Sequence, residues 1–105
     1  MILLDEIILV NNIVRIYFDG YEKIVVFLNH IFEIKFNTYE MKLLKQNFRK
    51  GSIFGNYYFN YKEVELWYDD DELHITVNEQ GKNKYICISH ETITYLNKFI
   101  NKWIK

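Results

Sequence analysis

The chain contains no proline and no alanine, and its only cysteine is Cys87. One cysteine excludes an intramolecular disulfide and fits a reducing compartment. The N-terminal run MILLDEIILV has no basic residues ahead of it and is broken by Asp5 and Glu6. It predicts neither a signal peptide nor a transmembrane span, so a cytoplasmic protein with no membrane partner is expected. Positive charge is not in excess: 13 Lys and Arg stand against 14 Asp and Glu, a net charge of −1. There is thus no global attraction toward nucleic acid.

Chemical motifs are missing too. His30, His74 and His90 are scattered, and none pairs with another ligand type at metal-site spacing. The run Asp69-Asp70-Asp71-Glu72 lacks the spaced ligands and glycine of a calcium loop, and reads as a solvated hairpin turn that also guards a sheet from edge pairing. Cys87 has no adjacent His or Lys to lower its pKa. Ser52 and Ser89 have no partner His at an interpretable distance. No enzyme, cofactor or metal is therefore expected.

What remains is rich in apolar material. Half of the 105 residues are hydrophobic and 18% are aromatic, which excludes disorder. That length predicts one domain, residues 1–105, burying roughly 65% of its unfolded surface. Ile, Lys, Asn, Tyr and Phe dominate, and Lys outnumbers Arg 11 to 2. These residues have AT-rich codons, as in low-GC bacteria, their phages and plasmids, or some archaeal viruses.

The stretch KYICISHETITYLNKFINKWIK, from Lys84 to Lys105, reads as a strand entering an amphipathic helix. Ile86 and Ile88 alternate with Tyr85 and Cys87, and Ser89 stands at the N-cap position. Ile93, Leu96, Ile100 and Trp103 then form one apolar stripe. Fifty-two residues earlier, Ile34 and Phe36 precede Asn37, Met41, Leu44 and Phe48 at matching spacing. Glu40 completes a capping box with Asn37. Upstream, Val14, Ile16 and Phe18 match Val64, Leu66 and Tyr68 at an offset of 50, and Ile24, Val26 and Leu28 match Leu73, Ile75 and Val77 at 49. The pattern predicts an internal duplication with halves 1–51 and 56–105; two unrelated runs of the same element order are the alternative.

In order, strands are expected over 7–10, 13–18, 23–28 and 31–36, then a helix from Thr38 to about Lys50 with Gly51 as its C′ residue. After a connector over 52–56, strands are expected over 57–61, 63–68, 72–78 and 84–89 before the last helix. The fold class is α+β: two ββββα units, with helices packed on one face of antiparallel sheet. Four antiparallel strands followed by a helix resemble the unit of the positive-cofactor-four, Whirly and PUR-repeat proteins. From Val64 to Ile100 the order of strand, tight turn, strand, charged loop with Gly81, then ICISHETITYL is similar to the positive-cofactor-four core. This resemblance implies single-stranded nucleic-acid binding, but the chain lacks the basic strands and loops of those families.

If Val14, Ile16, Phe18, Val64, Leu66, Leu73, Ile75, Ile86 and Ile88 face the helices, Tyr17, Phe27, Trp67 and Tyr85 project from the other side. Arg15, Lys35, Glu65, His74 and Thr76 accompany them. A solvated sheet face does not usually carry so many large rings. Three readings compete. The face is core beneath the other half or a second copy, or a protein-binding patch, or a base-stacking platform. Glu33 and Glu65 among few cations favour protein over nucleic acid. The expected binding residues are Tyr17, Phe27, Trp67, Tyr85, Arg15, Lys35 and His74. The expected function is a small non-catalytic binding protein, like the accessory proteins of phages and mobile elements that inhibit host defences such as CRISPR effectors or neutralise toxins. Its partner would be a protein or protein–nucleic acid complex, with single-stranded DNA or RNA as the alternative. The aromatic strand 57–61 further suggests a homodimer interface.

Overall fold

A computed structural model describes residues 1–49, 54–69 and 71–105. The fold is α+β, as expected, with two separate four-stranded antiparallel sheets and two α-helices. The first sheet holds β1 (Ile2–Ile8), β2 (Ile13–Phe18), β3 (Lys23–Leu28) and β4 (Glu33–Phe36), in that spatial order, and α1 (Thr38–Leu44) follows. The second holds β5 (Gly55–Phe59), β6 (Lys62–Asp69), β7 (Glu72–Glu79) and β8 (Lys82–Ser89), and α2 (His90–Trp103) follows. Gly51, the first two residues of the expected connector (52 and 53) and Asp70 lie outside the described residues.

Pairing in the two ladders keeps one offset. Ile7↔Val14, Val14↔Phe27, Ile16↔Val25 and Val25↔Phe36 recur as Tyr57↔Val64, Val64↔Val77, Leu66↔Ile75 and Ile75↔Ile86, each member 50 positions on. The expected offsets of 49 over β3 and 52 over β4 are therefore both corrected to 50. That one-residue slip reverses β3, because strand side chains alternate faces. Val25 and Phe27 point into the core, and Phe27 is fully buried. Its ring meets Phe36 and Phe48 edge-on, both at 5.8 Å. Phe27 is thus a packing residue and not part of an exposed aromatic face.

Other boundaries shift for local reasons. The first strand covers Ile2–Ile8 rather than 7–10, and Val10 falls in the turn, which the Leu9 amide closes by donating to the Asn12 carbonyl at 2.7 Å. The strand expected over 57–61 stops at Phe59; Asn60 and Tyr61 form the turn, with Tyr61 left-handed at φ 45°. Gln80 and Gly81 both have positive φ, as a type I′ hairpin requires. Helix α1 has the predicted capping box: the Asn37 side chain accepts from the Glu40 amide at 2.8 Å, and the Glu40 carboxylate accepts from the Asn37 amide at 3.0 Å. It ends earlier than expected, in a 3₁₀ turn over Lys45–Asn47, where the Phe48 amide donates to the Lys45 carbonyl at 3.0 Å. The tighter turn still delivers Phe48 to the core beside Met41 and Leu44. Ser89 occupies the N-cap of α2, but its hydroxyl meets Thr92 Oγ1 at 3.1 Å and caps no backbone amide. The His90 amide instead donates to the Asp71 carbonyl at 2.8 Å.

One buried cluster draws on both sheets and both helices, with Ile16, Phe27, Met41, Leu66, Ile86 and Leu96 among its members. The halves also meet along two sheet edges. Alternation of hydrogen-bonded pairs leaves the carbonyls of Glu33 and Lys35 pointing outward from β4, and those of Tyr85 and Cys87 from β8. The first pair accepts from Lys84 Nζ at 2.9 Å and Lys62 Nζ at 3.0 Å. The second accepts from Asn29 Nδ2 at 3.4 Å and the buried Asn12 Nδ2 at 2.7 Å. Each half thus satisfies the other's edge. Lys62 also pairs with the buried Glu40 carboxylate at 3.1 Å. Helix α2 crosses to the first half: Trp103 Nε1 donates to the Asp5 carboxylate at 2.8 Å, and Lys45 Nζ donates to the Ile104 carbonyl at 2.7 Å.

Leu96 is fully buried and Lys98 is exposed. Leu96→Ala should lower unfolding free energy by about 2–5 kcal/mol through the cavity it leaves. Lys98→Ala should change it little. Equal, small effects in denaturant melts would contradict this helix register.

Candidate functional site

The ladder of the second sheet decides which expected residues meet. Trp67 pairs with His74, His74 with Cys87, and Thr76 with Tyr85. Because Val64, Leu66, Leu73, Ile75, Ile86 and Ile88 turn inward, these residues share the outer face. His74 lies between the two other rings. Its ring centroid is 5.2 Å from Trp67 at an interplanar angle of 13°, and 5.8 Å from Tyr85 at 22°. Trp67 is half-buried and Tyr85 is 40% exposed. The three rings form a continuous stacked row across β6, β7 and β8.

Hydrogen bonds hold the row. His74 Nδ1 lies 2.5 Å from the Tyr85 hydroxyl, and Nε2 lies 3.4 Å from the Asp69 carbonyl. Burial pushes the Tyr85 phenol up to about 12, and a hydrogen bond with Cys87 adds to the shift. The phenol is therefore protonated at neutral pH. The Cys87 thiol donates to the Glu72 carboxylate. Burial, reinforced by that bond, raises the thiol to about 11. A protonated thiol against a carboxylate is a poor nucleophile.

Charge on this face has one sign. Strand alternation brings Glu63, Glu65, Asp69 and Glu72 onto it, and no Lys or Arg among the described residues. Lys84 borders the face, with its ammonium on the Glu33 carbonyl of the other half. These carboxylates were not among the expected binding residues, although the alternation that placed Trp67 outward also places Glu63, Glu65 and Asp69 there.

The remaining expected residues lie on the first sheet. Tyr17 and Arg15 share the outer face of β2, and Lys35 that of β4. Arg15 Nε donates to the Glu6 carboxylate at 2.5 Å; this contact, then Tyr17, raises the guanidinium's pKa further. Lys35 lies 4.0 Å from Glu33. Both cations thus have an acidic neighbour within the sheet. Of the seven expected residues, Trp67, His74 and Tyr85 come together in one stacked row, Tyr17, Arg15 and Lys35 lie on a separate mixed-charge face, and Phe27 is core.

Among the described residues, no group of three or more His, Cys, Asp or Glu is placed to hold a metal ion, and no helix is long and apolar enough to cross a membrane. No protein-family model, curated protein or solved structure matches the chain.

The environment of Cys87 favours the protonated thiol, so it stabilises the fold fully below the unfolded thiol's value near 9.0 and loses that contribution as pH rises through about 11. Alkylation of Cys87 in the folded protein should therefore stay slow at neutral pH and rise with a midpoint near 11. A midpoint at or below 9 would contradict the Glu72 contact.

Proposed function

We propose that this chain is a non-catalytic binding protein that engages another protein through the outer face of its second sheet. The observation that carries the reading is the row Trp67–His74–Tyr85 set among Glu63, Glu65, Asp69 and Glu72, with no cation among the described residues alternating onto the face. Large, pre-stacked rings lose little conformational freedom on contact and are favoured interface anchors. The carboxylates select a partner surface bearing Lys or Arg and repel a phosphate backbone. Basic surfaces of that kind are what nucleic-acid-handling proteins present. An accessory or inhibitory protein acting in the cytoplasm against such a partner fits both this face and the absence of a catalytic motif. Single-stranded nucleic-acid binding, implied by the resemblance to Whirly-type units, has the rings in its favour but no basic track beside them.

The test begins with capture of partners from a host lysate, with and without nuclease, followed by titration of the partner found. Trp67→Ala should weaken binding by about 2 kcal/mol or more, as a hot-spot ring does. Glu65→Lys should slow association, with an effect that fades as salt rises. Labelled single-stranded oligonucleotides should bind no tighter than micromolar at moderate salt. Sub-micromolar oligonucleotide binding with a steep salt slope, lost in Trp67→Ala, would replace this reading with the nucleic-acid one.

A further inference from the structure

Four strand edges bound the two sheets, and they are not treated alike. The edges of β4 and β8 are closed by Lys62, Lys84, Asn12 and Asn29 from the opposite half. The outer edge of β1 has no such cover among the described residues. It is also the most apolar: Ile2, Leu3, Leu4 and Ile8 are all exposed, Ile8 by 72%, and Val10 beyond the strand is exposed as well. An open apolar edge is a template for another strand, and proteins usually blunt it with unpaired charge or proline. This chain has no proline. The acids of β1 are occupied within the chain: Asp5 by the Trp103 indole and by Lys102 at 3.6 Å, Glu6 by Arg15.

The ladder shows which groups face outward. The Leu9–Asn12 closure makes Ile7↔Val14 a hydrogen-bonded pair and leaves Glu6↔Arg15 and Ile8↔Ile13 as non-bonded ones. The amides and carbonyls of Glu6 and Ile8 therefore point away from β2. We propose that a second copy of this chain occupies this edge, with the two β1 strands antiparallel and Ile7 on the twofold axis. Glu6 of each copy then faces Ile8 of the other, and these pairs exchange their outward amide–carbonyl bonds. The Glu6 amide now donates to the neighbouring Asp5 carboxylate at 2.8 Å, and the Ile8 carbonyl of the second copy takes that place. Asp5 faces Leu9 of the second copy, so no carboxylate opposes another. Moving the axis to Glu6 would set Glu6 against Glu6, which is destabilising in a sheet. Moving it to Ile8 would pair Glu6 with Val10, beyond the end of the strand. The twofold register with Ile7 on the axis uses the outward groups, separates the acids and covers Ile8, as an isologous contact requires. It joins two first sheets into one of eight strands and leaves both Trp67 faces open. The aromatic strand β5, where a homodimer contact was expected, is not part of it.

Sedimentation equilibrium across a micromolar to sub-millimolar range tests the proposal. Wild type should give twice the chain mass of 12.9 kDa. Ile8→Lys places a charge at an exposed site, and Ile8→Pro removes only an outward amide, so neither disturbs the β1–β2 bonds. Both variants should fall to 12.9 kDa with an unchanged circular dichroism spectrum. Tyr58→Lys, on the edge strand β5, should leave the dimer intact. A monomeric wild type would overturn the proposal and leave the edge to an extended segment of a different protein. A dimer that survives both Ile8 variants, or dissolves only in Tyr58→Lys, would also overturn it.

Discussion

Exposed backbone along a sheet edge must find hydrogen-bond partners, and in this protein the partners come from the other half of the chain. Edge carbonyls of β4 accept lysine ammonium groups of the second half, and edge carbonyls of β8 accept asparagine amides of the first. Neither sheet has both edges satisfied alone. Asn12 and Lys62 occupy the same ladder position, 50 residues apart, and each reaches across to the other half's last strand. The exchange continues in the helices. Glu40 of α1 pairs with Lys62, and the end of α2 binds Asp5, Lys23 and Lys45. Four-stranded meanders of this size expose much of their surface, so sharing a core and edges lets a short chain bury enough apolar area.

That arrangement also determines where binding chemistry can sit. The inward faces are committed to the common core, and the edges of β4 and β8 to the contact between halves. Binding is left to the outward sheet faces, the helix surfaces and the open edges. The two outward faces differ despite their shared register. Tyr17↔Ile24 in the first sheet corresponds to Trp67↔His74 in the second. Arg15 corresponds to Glu65, and Lys35 to Tyr85. The first face has mixed charge and internal ion pairs, whereas the second gathers rings and carboxylates. Two ladders of matching register thus carry two unlike surfaces, of which only the second combines aromatic anchors with charge of one sign.

Much of the fold was legible in local pattern. Alternation in β6, β7 and β8, and at Val14 and Ile16 of β2, placed core residues correctly, although Phe18 is only half-buried and lies outside the core, and Asn37 with Glu40 marked the start of α1. The failure at Phe27 has a physical cause. Residues 24–28 read Ile-Val-Val-Phe-Leu, apolar at every position, so period two cannot choose a face. The choice falls to neighbouring strands, whose register sends Val25 and Phe27 inward. Even so, Val26 on the opposite side is almost fully buried, which makes the strand apolar throughout. The early end of α1 was hidden because the 3₁₀ turn preserves the inward direction of Phe48. The edge contacts were invisible because they join residues 27 to 75 positions apart, and an asparagine in a turn signals only the turn. At the site, Trp67 and Tyr85 could be placed outward from alternation, while the stacking of His74 between them required the pairing of three strands.

The central claim is that the halves stabilise each other through their shared edges and core, and the buried amide of Asn12 tests it most directly. Asn12→Ala alters the first half but leaves the Cys87 carbonyl of the second without its partner. It should cost about 1–3 kcal/mol, the penalty for a buried unsatisfied group. Native-state hydrogen exchange can read that loss separately at Ile16 and Val25 in the first sheet and at Leu66 and Ile75 in the second. The account predicts that protection falls by the same free energy in both sheets, because both open in one cooperative event. Loss confined to one sheet, with the other keeping its wild-type protection, would contradict it.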